Sequence, residues 1–324
     1  MSNLRIGIMG YGHIGRGVEK AVIAAPDMEL AGIFTRRSPK SVKTSSSSSP
    51  VMTIDSAISM KDAIDVMILC GSSSADLPTQ GPLFAKDFNI VDSFDTHQRI
   101  PAYLAEVDAA ATRTAAVISA GWDPGLFSIM RALFGASLPE GGDYTFWGRG
   151  VSQGHSAVVR KIPGVKNAVQ YSIPVDEAVR LARSGENPSL TTRQKHRREC
   201  FVVTEEGADT ARIARDIKAV PYYFADYDTD VHFISEEELS VRHSAMPHGG
   251  LVLRTGHTGS EKHRMEFSLT LDSNPDFTGS VMVACARAAA RLAREGSFGA
   301  KTLLDIPLSY LSPKDRDMLI AETL

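Results

Sequence analysis

The sequence predicts an α/β protein: a doubly wound parallel sheet joined to a second, α+β domain. Three observations predict it. Leu4-Arg5-Ile6-Gly7-Ile8-Met9 reads as a short apolar strand that runs into Gly10-Tyr11-Gly12-His13-Ile14-Gly15 and then into helical spacing. Short apolar segments and helical patterns then alternate to about residue 122, as strands and crossover helices of a parallel sheet do. Beyond that point the apolar residues alternate with polar ones, most clearly where Met265, Phe267, Leu269 and Leu271 interleave with Glu266, Ser268, Thr270 and Asp272. Period two suits a sheet with one wet face.

The length of 324 residues corresponds to two domains at about 150 residues each. Hydrophobic residues are 43% and charged residues 23%, the balance of an ordinary globular chain, which excludes a fibrous or wholly disordered one. No apolar run approaches the ~20 residues that span a bilayer. The first residues lead straight into a strand, so no secretory signal is expected. Lys+Arg number 35 against 38 Asp+Glu, giving a net charge of −3, and a nucleic-acid binder would show a basic excess. Cys70, Cys200 and Cys285 lie far apart with no CxxC, which supports neither a disulfide framework nor a thiolate zinc site. A reduced, cytoplasmic location is expected.

Strand, GxGxxG and helix follow one another in the order of a Rossmann-type dinucleotide site. Gly10 permits the tight turn, Gly12 lets the backbone approach a pyrophosphate, and Gly15 lets the helix pack close. The helix N-terminus favours the negative charge. Ile14, Val18, Ala21 and Val22 mark the helix face. A second strand, Glu29–Phe34, ends at Thr35-Arg36-Arg37, where an NAD enzyme usually places Asp or Glu. Two guanidinium groups and a hydroxyl suit a 2′-phosphate, and no carboxylate stands there to repel it. The cofactor expected is NADP.

Ser45 to Ser49 reads as a flexible loop ending at Pro50. Val51–Ile54, Val66–Cys70, Asn89–Asp92 and Ala115–Ser119 are further strands, with helices around Asp76–Asp87 and Pro101–Thr112. In the second domain the strands are Tyr144–Trp147, Val169–Ile173, Cys200–Val203, Thr229–Ile234, Leu251–Arg254 and Met265–Asp272, and the better helices Asp176–Ser184 and Asp209–Ala219. After Asn274-Pro275 a helix carries Val281, Cys285, Ala288, Ala289 and Leu292 on one face and Arg287, Arg291 and Arg294 on the other. Residues 1–122 and 275–324 are expected to form the dinucleotide-binding domain with a returning tail, and 123–274 the substrate-binding domain.

In an open parallel sheet, ligands bind beyond the carboxyl ends of the strands. Asp92-Ser93-Phe94-Asp95 follows one late strand, and Ser119-Ala120-Gly121-Trp122-Asp123-Pro124-Gly125 follows the next. An isolated Asp in either place is a turn or cap residue. Asp95 and Asp123 together suit an ammonium group. Opposite charge comes from Arg193-Gln194-Lys195-His196-Arg197-Arg198, where one alternate side chain of a strand can point inward and grip a carboxylate. His248 between Pro247 and Gly249 is another candidate, because glycine permits close ligand approach. His243, His248, His257 and His263 do not match a zinc spacing, so no metal is expected. Cys70 reads as a small core residue rather than a nucleophile.

These motifs resemble those of the meso-diaminopimelate D-dehydrogenases. The likeness is carried by Gly10–Arg16, Ile33–Arg37, Gly121-Trp122-Asp123-Pro124-Gly125, Thr145-Phe146-Trp147-Gly148 and Ser152-Gln153-Gly154-His155-Ser156. It continues through Ile162–Val165, Met246-Pro247-His248-Gly249-Gly250 and Asn274–Thr278, and so through essentially the whole chain. The resemblance implies oxidation of the D-amino centre of meso-2,6-diaminopimelate with NADP. The products would be L-2-amino-6-oxopimelate, which cyclises to tetrahydrodipicolinate, ammonia and NADPH, reversibly, in lysine biosynthesis. It places Asp95, Trp122, Asp123, Trp147, Gln153 and Asn274 about the reacting end, with Ser172, Arg198 and His248 at the distal L-amino-acid end, and counts Gly154 among the substrate contacts. Ser172 stands where family members often have Thr and keeps the hydroxyl. Tyr11, His13, Ile14 and the loop Cys70-Gly71-Ser72-Ser73 would join the cofactor contacts, although Gly71–Ser74 departs in detail from the family pattern. A homodimer through the second domain is also implied. The rival readings are another two-domain NADP oxidoreductase and a non-catalytic NADP-binding sensor. Asp92-Ser93-Phe94-Asp95 stands where sugar oxidoreductases of similar build usually carry Glu-Lys-Pro, which counts against that group.

Overall fold

The computed structural model describes residues 3–46 and 50–324. In chain order the first elements are β1 (Leu4–Met9), α1 (His13–Ala24), β2 (Met28–Thr35), β3 (Val51–Thr53), β4 (Val66–Leu69), α2 (Leu77–Phe84), β5 (Ile90–Asp92), α3 (Ile100–Ala110), β6 (Ala115–Val117) and α4 (Leu126–Ser137). Next come β7 (Gly141–Trp147), β8 (Gly150–Val151), α5 (Gln153–Val159), β9 (Val165–Pro174), α6 (Asp176–Arg183), α7 (Thr192–Lys195) and β10 (His196–Thr204). The remainder are α8 (Thr210–Ala219), β11 (Asp228–Phe233), α9 (Glu236–Arg242), β12 (His248–Thr258), β13 (Glu261–Leu271), α10 (Asn274–Arg294), β14 (Gly299–Lys301) and α11 (Arg316–Thr323). Two compact units result: residues 1–129 with 275–324, and residues 130–274. The division falls seven residues beyond the expected 122, because the Trp122–Gly125 turn and the first residues of α4 pack on the first unit, Leu126 and Ile129 among them.

In the first unit seven parallel strands lie in the order β14-β6-β5-β4-β1-β2-β3. The central strands are buried on both faces, which is why β1 and β4 are almost wholly apolar, while the edge strands β3 and β14 are only partly buried. One face sends Ile6, Ile8, Ile33, Ile68 and Val91 against Val18 and Val22 of α1 and the alanine-rich α10. The other sends Met9, Phe34, Met67 and Ile90 against Leu77 and Phe84 of α2 and Tyr103 and Val107 of α3. A Cβ at Gly17 would lie 2.5 Å from the Pro275 carbonyl oxygen, and one at Gly279 2.5 Å from the Gly17 carbonyl carbon, so α1 and α10 meet through glycine.

Sequence reasoning placed three arginines of α10 on an outward face. Two of them are structural ties. Arg287 is buried and grips both oxygens of Asp27 at 2.7 Å, and Arg291 donates to the carbonyls of Ser309 and Ser312. The serine loop also differs from expectation where it is described: the Ser45 and Ser46 N–H groups donate to the buried Glu19 carboxylate at 2.8 and 3.3 Å. Ser47–Ser49 lie outside the described residues.

The second unit holds two sheets, β11-β10-β9-β8 and β13-β12-β7. All their pairings are antiparallel except β10 with β11. Strand β13 shows the expected alternation, with Met265, Phe267 and Leu269 partly buried between exposed neighbours. Strand β10 begins at His196 rather than Cys200, because His196, Arg198 and Cys200 alternate onto the buried face despite the surrounding charge. Among the described residues no helix is long and apolar enough to cross a membrane.

The Asp27–Arg287 pair yields a pH prediction. The Arg287 hydrogen bond, outweighing burial, holds the Asp27 pKa below the usual carboxylate value. A depressed folded-state pKa contributes stability above the unfolded value of about 3.9, and that contribution is lost as pH falls through the folded value. Arg287→Met should cost about 1.5–3 kcal/mol at pH 7. In urea titrations across a pH series, the gap from wild type should narrow below about pH 4. A gap that stays constant into acid would contradict the assignment.

Candidate active site

In the first unit, the loops after β1, β2 and β4 enclose a cleft of ≈ 440 Å³. Gly10, Tyr11, Gly12, His13, Thr35, Arg36, Arg37, Cys70, Gly71 and Ser72 line it, all expected from the sequence. Gly10 turns the chain at φ +91°, a conformation that favours glycine. A Cβ at Gly15 would lie 2.3 Å from the Gly10 carbonyl oxygen, so Gly15 and Ile14 belong to the helix wall behind the cleft. A Cβ at Gly12 would meet nothing within 4 Å, which leaves the helix N-terminus open to an approaching phosphate. The thiol of Cys70 is desolvated and its pKa raised, the opposite of what a nucleophile needs.

At the other end of the cleft, the Arg37 N–H donates to the Thr35 hydroxyl at 3.2 Å, and the Arg37 guanidinium donates to the Tyr11 carbonyl. Tyr11 in turn donates its hydroxyl to Glu19. Arg36 pairs with Asp76 at 3.0 Å. This corrects the expectation that no carboxylate stands near the arginines: Asp76 reaches the same cleft from the start of α2. Its other oxygen accepts from the Ser72 N–H at 2.9 Å. Arg36 is 74% exposed, so the pair is weak and the guanidinium can exchange partners. Arg16, Ile54 and Gln80 also line the cleft and were not foreseen. The Gln80 Oε1 is buried with no hydrogen-bond partner, an acceptor available to a bound ligand. Two cations, an open helix start and an unused acceptor fit a phosphorylated dinucleotide.

The next two loops of the sheet carry the acids. Asp95 is exposed beyond β5, and its N–H donates to Ser73 Oγ at 3.0 Å. Ser73 therefore ties the loop after β4 to the loop after β5 and is not among the cleft-lining residues. Asp123 is half-buried at the tip of the turn that Trp122 and Gly125 close. Trp122 is buried edge-on against Phe127, with ring centroids 5.2 Å apart.

In the second unit a chain of neighbours joins the distal candidates. Arg198 pairs with Ser172 across β10 and β9, and its guanidinium donates to the Ser172 hydroxyl. Ser172 pairs with Gly150, where a Cβ would lie 2.5 Å from the His248 ring. Ser172, Arg198 and His248 thus share one corner, although 26 and 50 residues separate consecutive members. Arg198 also lies 3.9 Å above the Tyr227 ring, a partner the sequence did not reveal. Burial, outweighing the opposing Tyr227 contact, lowers its pKa from the usual arginine value. Trp147 ends β7, donates its N–H to His196 Nε2 at 2.9 Å and stacks on that ring. Burial, reinforced by Arg198 and Lys195, pushes His196 down to about 3, so its ring is a neutral acceptor. Gln153 and Gly154 are exposed at the start of α5, the Gln153 amide reaching Met246 Sδ at 3.0 Å. Asn274 starts α10 and donates its N–H to the Met246 carbonyl at 2.9 Å. A further imidazole lies beside this group: His155, at Ser152 Oγ and beside Tyr223, is pushed to about 3 by burial, then by Arg198.

Residues 121–273 match the family model of the diaminopimelic acid dehydrogenase C-terminal domain. The chain is 60% identical to the meso-diaminopimelate D-dehydrogenase of Ureibacillus thermosphaericus, over 100% of both chains. Its structure superposes on that of the C. glutamicum DAP dehydrogenase in complex with DAP with a TM-score of 0.94, at 45% identity over 100% of both chains. An engineered D-amino acid dehydrogenase bound to NADP+ superposes with a TM-score of 0.89, at 43% identity over 100% of both chains. Full-length identity at this level, on the same fold, decides the matter: the chain belongs to the meso-diaminopimelate D-dehydrogenase family.

Proposed function

We propose that this protein is an NADP-dependent meso-diaminopimelate D-dehydrogenase. The observation that carries the reading is 60% identity, over the whole chain, to a protein named for that reaction. Two acids beyond adjacent strands and a buried arginine agree with it, because the substrate carries two ammonium groups and two carboxylates. The enzyme converts meso-2,6-diaminopimelate, NADP+ and water to L-2-amino-6-oxopimelate, ammonium, NADPH and a proton, in lysine biosynthesis. It works in the cytoplasm as a homodimer through the second domain.

NADP, when bound, supplies the hydride acceptor. Arg37 and Thr35 hold the 2′-phosphate, and Arg36 leaves Asp76 to join them. Gly10 to His13 and Cys70 to Ser72 form the pyrophosphate and loop contacts, with Ile14 and Gly15 behind them and Ser73 tying the loop to Asp95. Asp95 and Asp123 orient the D-ammonium group and offset the positive charge that grows on the C–N bond as the hydride departs. Trp122 joins them from the same loop as Asp123, and Trp147, Gln153, Gly154 and Asn274 are the second unit's contacts to the substrate. Water then adds to the imine carbon and ammonia leaves. Ser172, Arg198 and His248 grip the distal L-amino-acid end, which selects a substrate with two amino-acid groups.

Mixing enzyme, NADP and meso-diaminopimelate should raise absorbance at the NADPH band, with no rise from the L,L isomer. NADP binding without any absorbance change would favour a sensor. Replacing Arg36 and Arg37 by uncharged residues should weaken NADP far more than NAD. Each lost charge-assisted contact is worth about 1.5–3 kcal/mol, or roughly 10- to 150-fold. Equal losses in titrations with the two cofactors would sink the 2′-phosphate assignment. Arg198→Met removes the guanidinium from a contact remote from the hydride, so it should raise KM for meso-diaminopimelate more than it lowers kcat. A kcat/KM comparison with a simple D-amino acid, where that is turned over, checks the role. Uniform loss on both substrates would mean that Arg198 supports the fold instead.

A further inference from the structure

Asp92 ends β5, is fully buried, and has no part in the chemistry above. Its carboxylate joins three segments. Oδ1 accepts from the Phe94 N–H at 2.9 Å, on the loop that leads to Asp95. The same oxygen accepts from the Ser119 N–H at 3.0 Å, on the loop that leads to Asp123. Oδ2 accepts from the Tyr103 hydroxyl at 2.6 Å, and the Tyr103 ring stacks on Phe94 with centroids 4.2 Å apart. The Asp92 carbonyl accepts from the Ala120 N–H at 2.7 Å.

These bonds begin where the sheet stops. The register of β5 and β6 pairs Ile90 with Ala116 and Val91 with Val117 and goes no further. Beyond that point the two departing loops are linked by the Asp92 side chain, through the Ser119 N–H, and by the single backbone bond from Ala120 to the Asp92 carbonyl. Ser119 is held at φ 55°, a left-handed conformation that a residue with a side chain adopts at a cost, and its buried hydroxyl has no hydrogen-bond partner. That backbone has something to hold it in place: the bond to Asp92. A buried carboxylate is a poor device for stability alone, since apolar replacements of buried charges are often neutral or stabilising. It is a good device for fixing two loops at one separation.

We propose that Asp92 is a positioning residue of the reaction, setting the separation of Asp95 and Asp123 through backbone bonds to Phe94 and Ser119. The proposal rests on the reading that those two acids hold the reacting ammonium.

The test uses the full-length enzyme with NADP. Asp92→Ala should lower kcat for meso-diaminopimelate about 10- to 100-fold, the scale of a small misplacement of catalytic groups. Its KM for NADP should stay within about two-fold, since the changed groups lie beyond the cofactor contacts. Asp92→Asn keeps an oxygen for the two backbone donors and should restore most of the loss. In an Asp123→Asn background, Asp92→Ala should cost much less than in wild type, because residues acting as a unit are not additive. A loss that multiplies in full, a loss shared with NADP binding, or a folded Asp92→Ala enzyme of normal kcat would overturn the proposal. Should the Ala variant fail to fold, amide exchange on the unaltered enzyme decides. The Phe94 and Ser119 amides should exchange as slowly as those of β5 and β6, and fast exchange would overturn the clamp. Asp95→Asn and Asp123→Asn separate the two levels. Normal turnover in both would remove the reacting-end reading while leaving the exchange result intact.

Discussion

The constraint on which the rest depends is the parallel ladder of the first unit. In such a sheet every strand leaves at the same edge, so the loops that follow the strands gather there. Gly10 to His13 follow β1, Thr35 to Arg37 follow β2, Cys70 to Ser73 follow β4, Asp95 follows β5 and Asp123 follows β6. Residues spread over more than 100 positions of sequence reach one edge without any of them being adjacent in the chain. The ladder holds because both its faces are dry, α1 and α10 covering one and α2 and α3 the other.

The two units handle their cations differently. Arg36 is exposed, and its pair with Asp76 gains little in water, so the side chain is free to change partners at low cost. Arg198 is buried, where a charge is expensive, and the fold compensates with the Ser172 hydroxyl and the face of Tyr227. A group prepared in that way is rigid before any ligand arrives, and less side-chain entropy is lost on binding. The arginine proposed for the cofactor is thus exposed, and the arginine proposed for the substrate is buried and held in place.

Trp147 shows the same preparation through a neutral group. The His196 ring accepts from its backbone N–H and stacks on its indole, and burial keeps that ring uncharged. A protonated imidazole could not accept this bond.

The sequence by itself determined the first strand, the glycine turn and helix, the choice between Asp/Glu and Thr-Arg-Arg after β2, and the two acids after β5 and β6. These are local patterns, in which the turn chemistry and the strand periodicity lie within a few residues of the group they place. It also determined the alternating strands of the second unit, but not the start of β10, because charged residues at 197 and 198 mask a period-two pattern that burial reveals. Only the tertiary structure decided that Asp76 faces Arg36, that Tyr227 lies under Arg198, that Arg287 is an internal tie, and that Asp92 spans two loops. Each of these joins residues 27 to 260 positions apart. Periodicity states which side of an element is buried, but not which side chain of another element meets it there. That choice is made by the packing of whole sheets and helices, which settles how each buried charge is compensated.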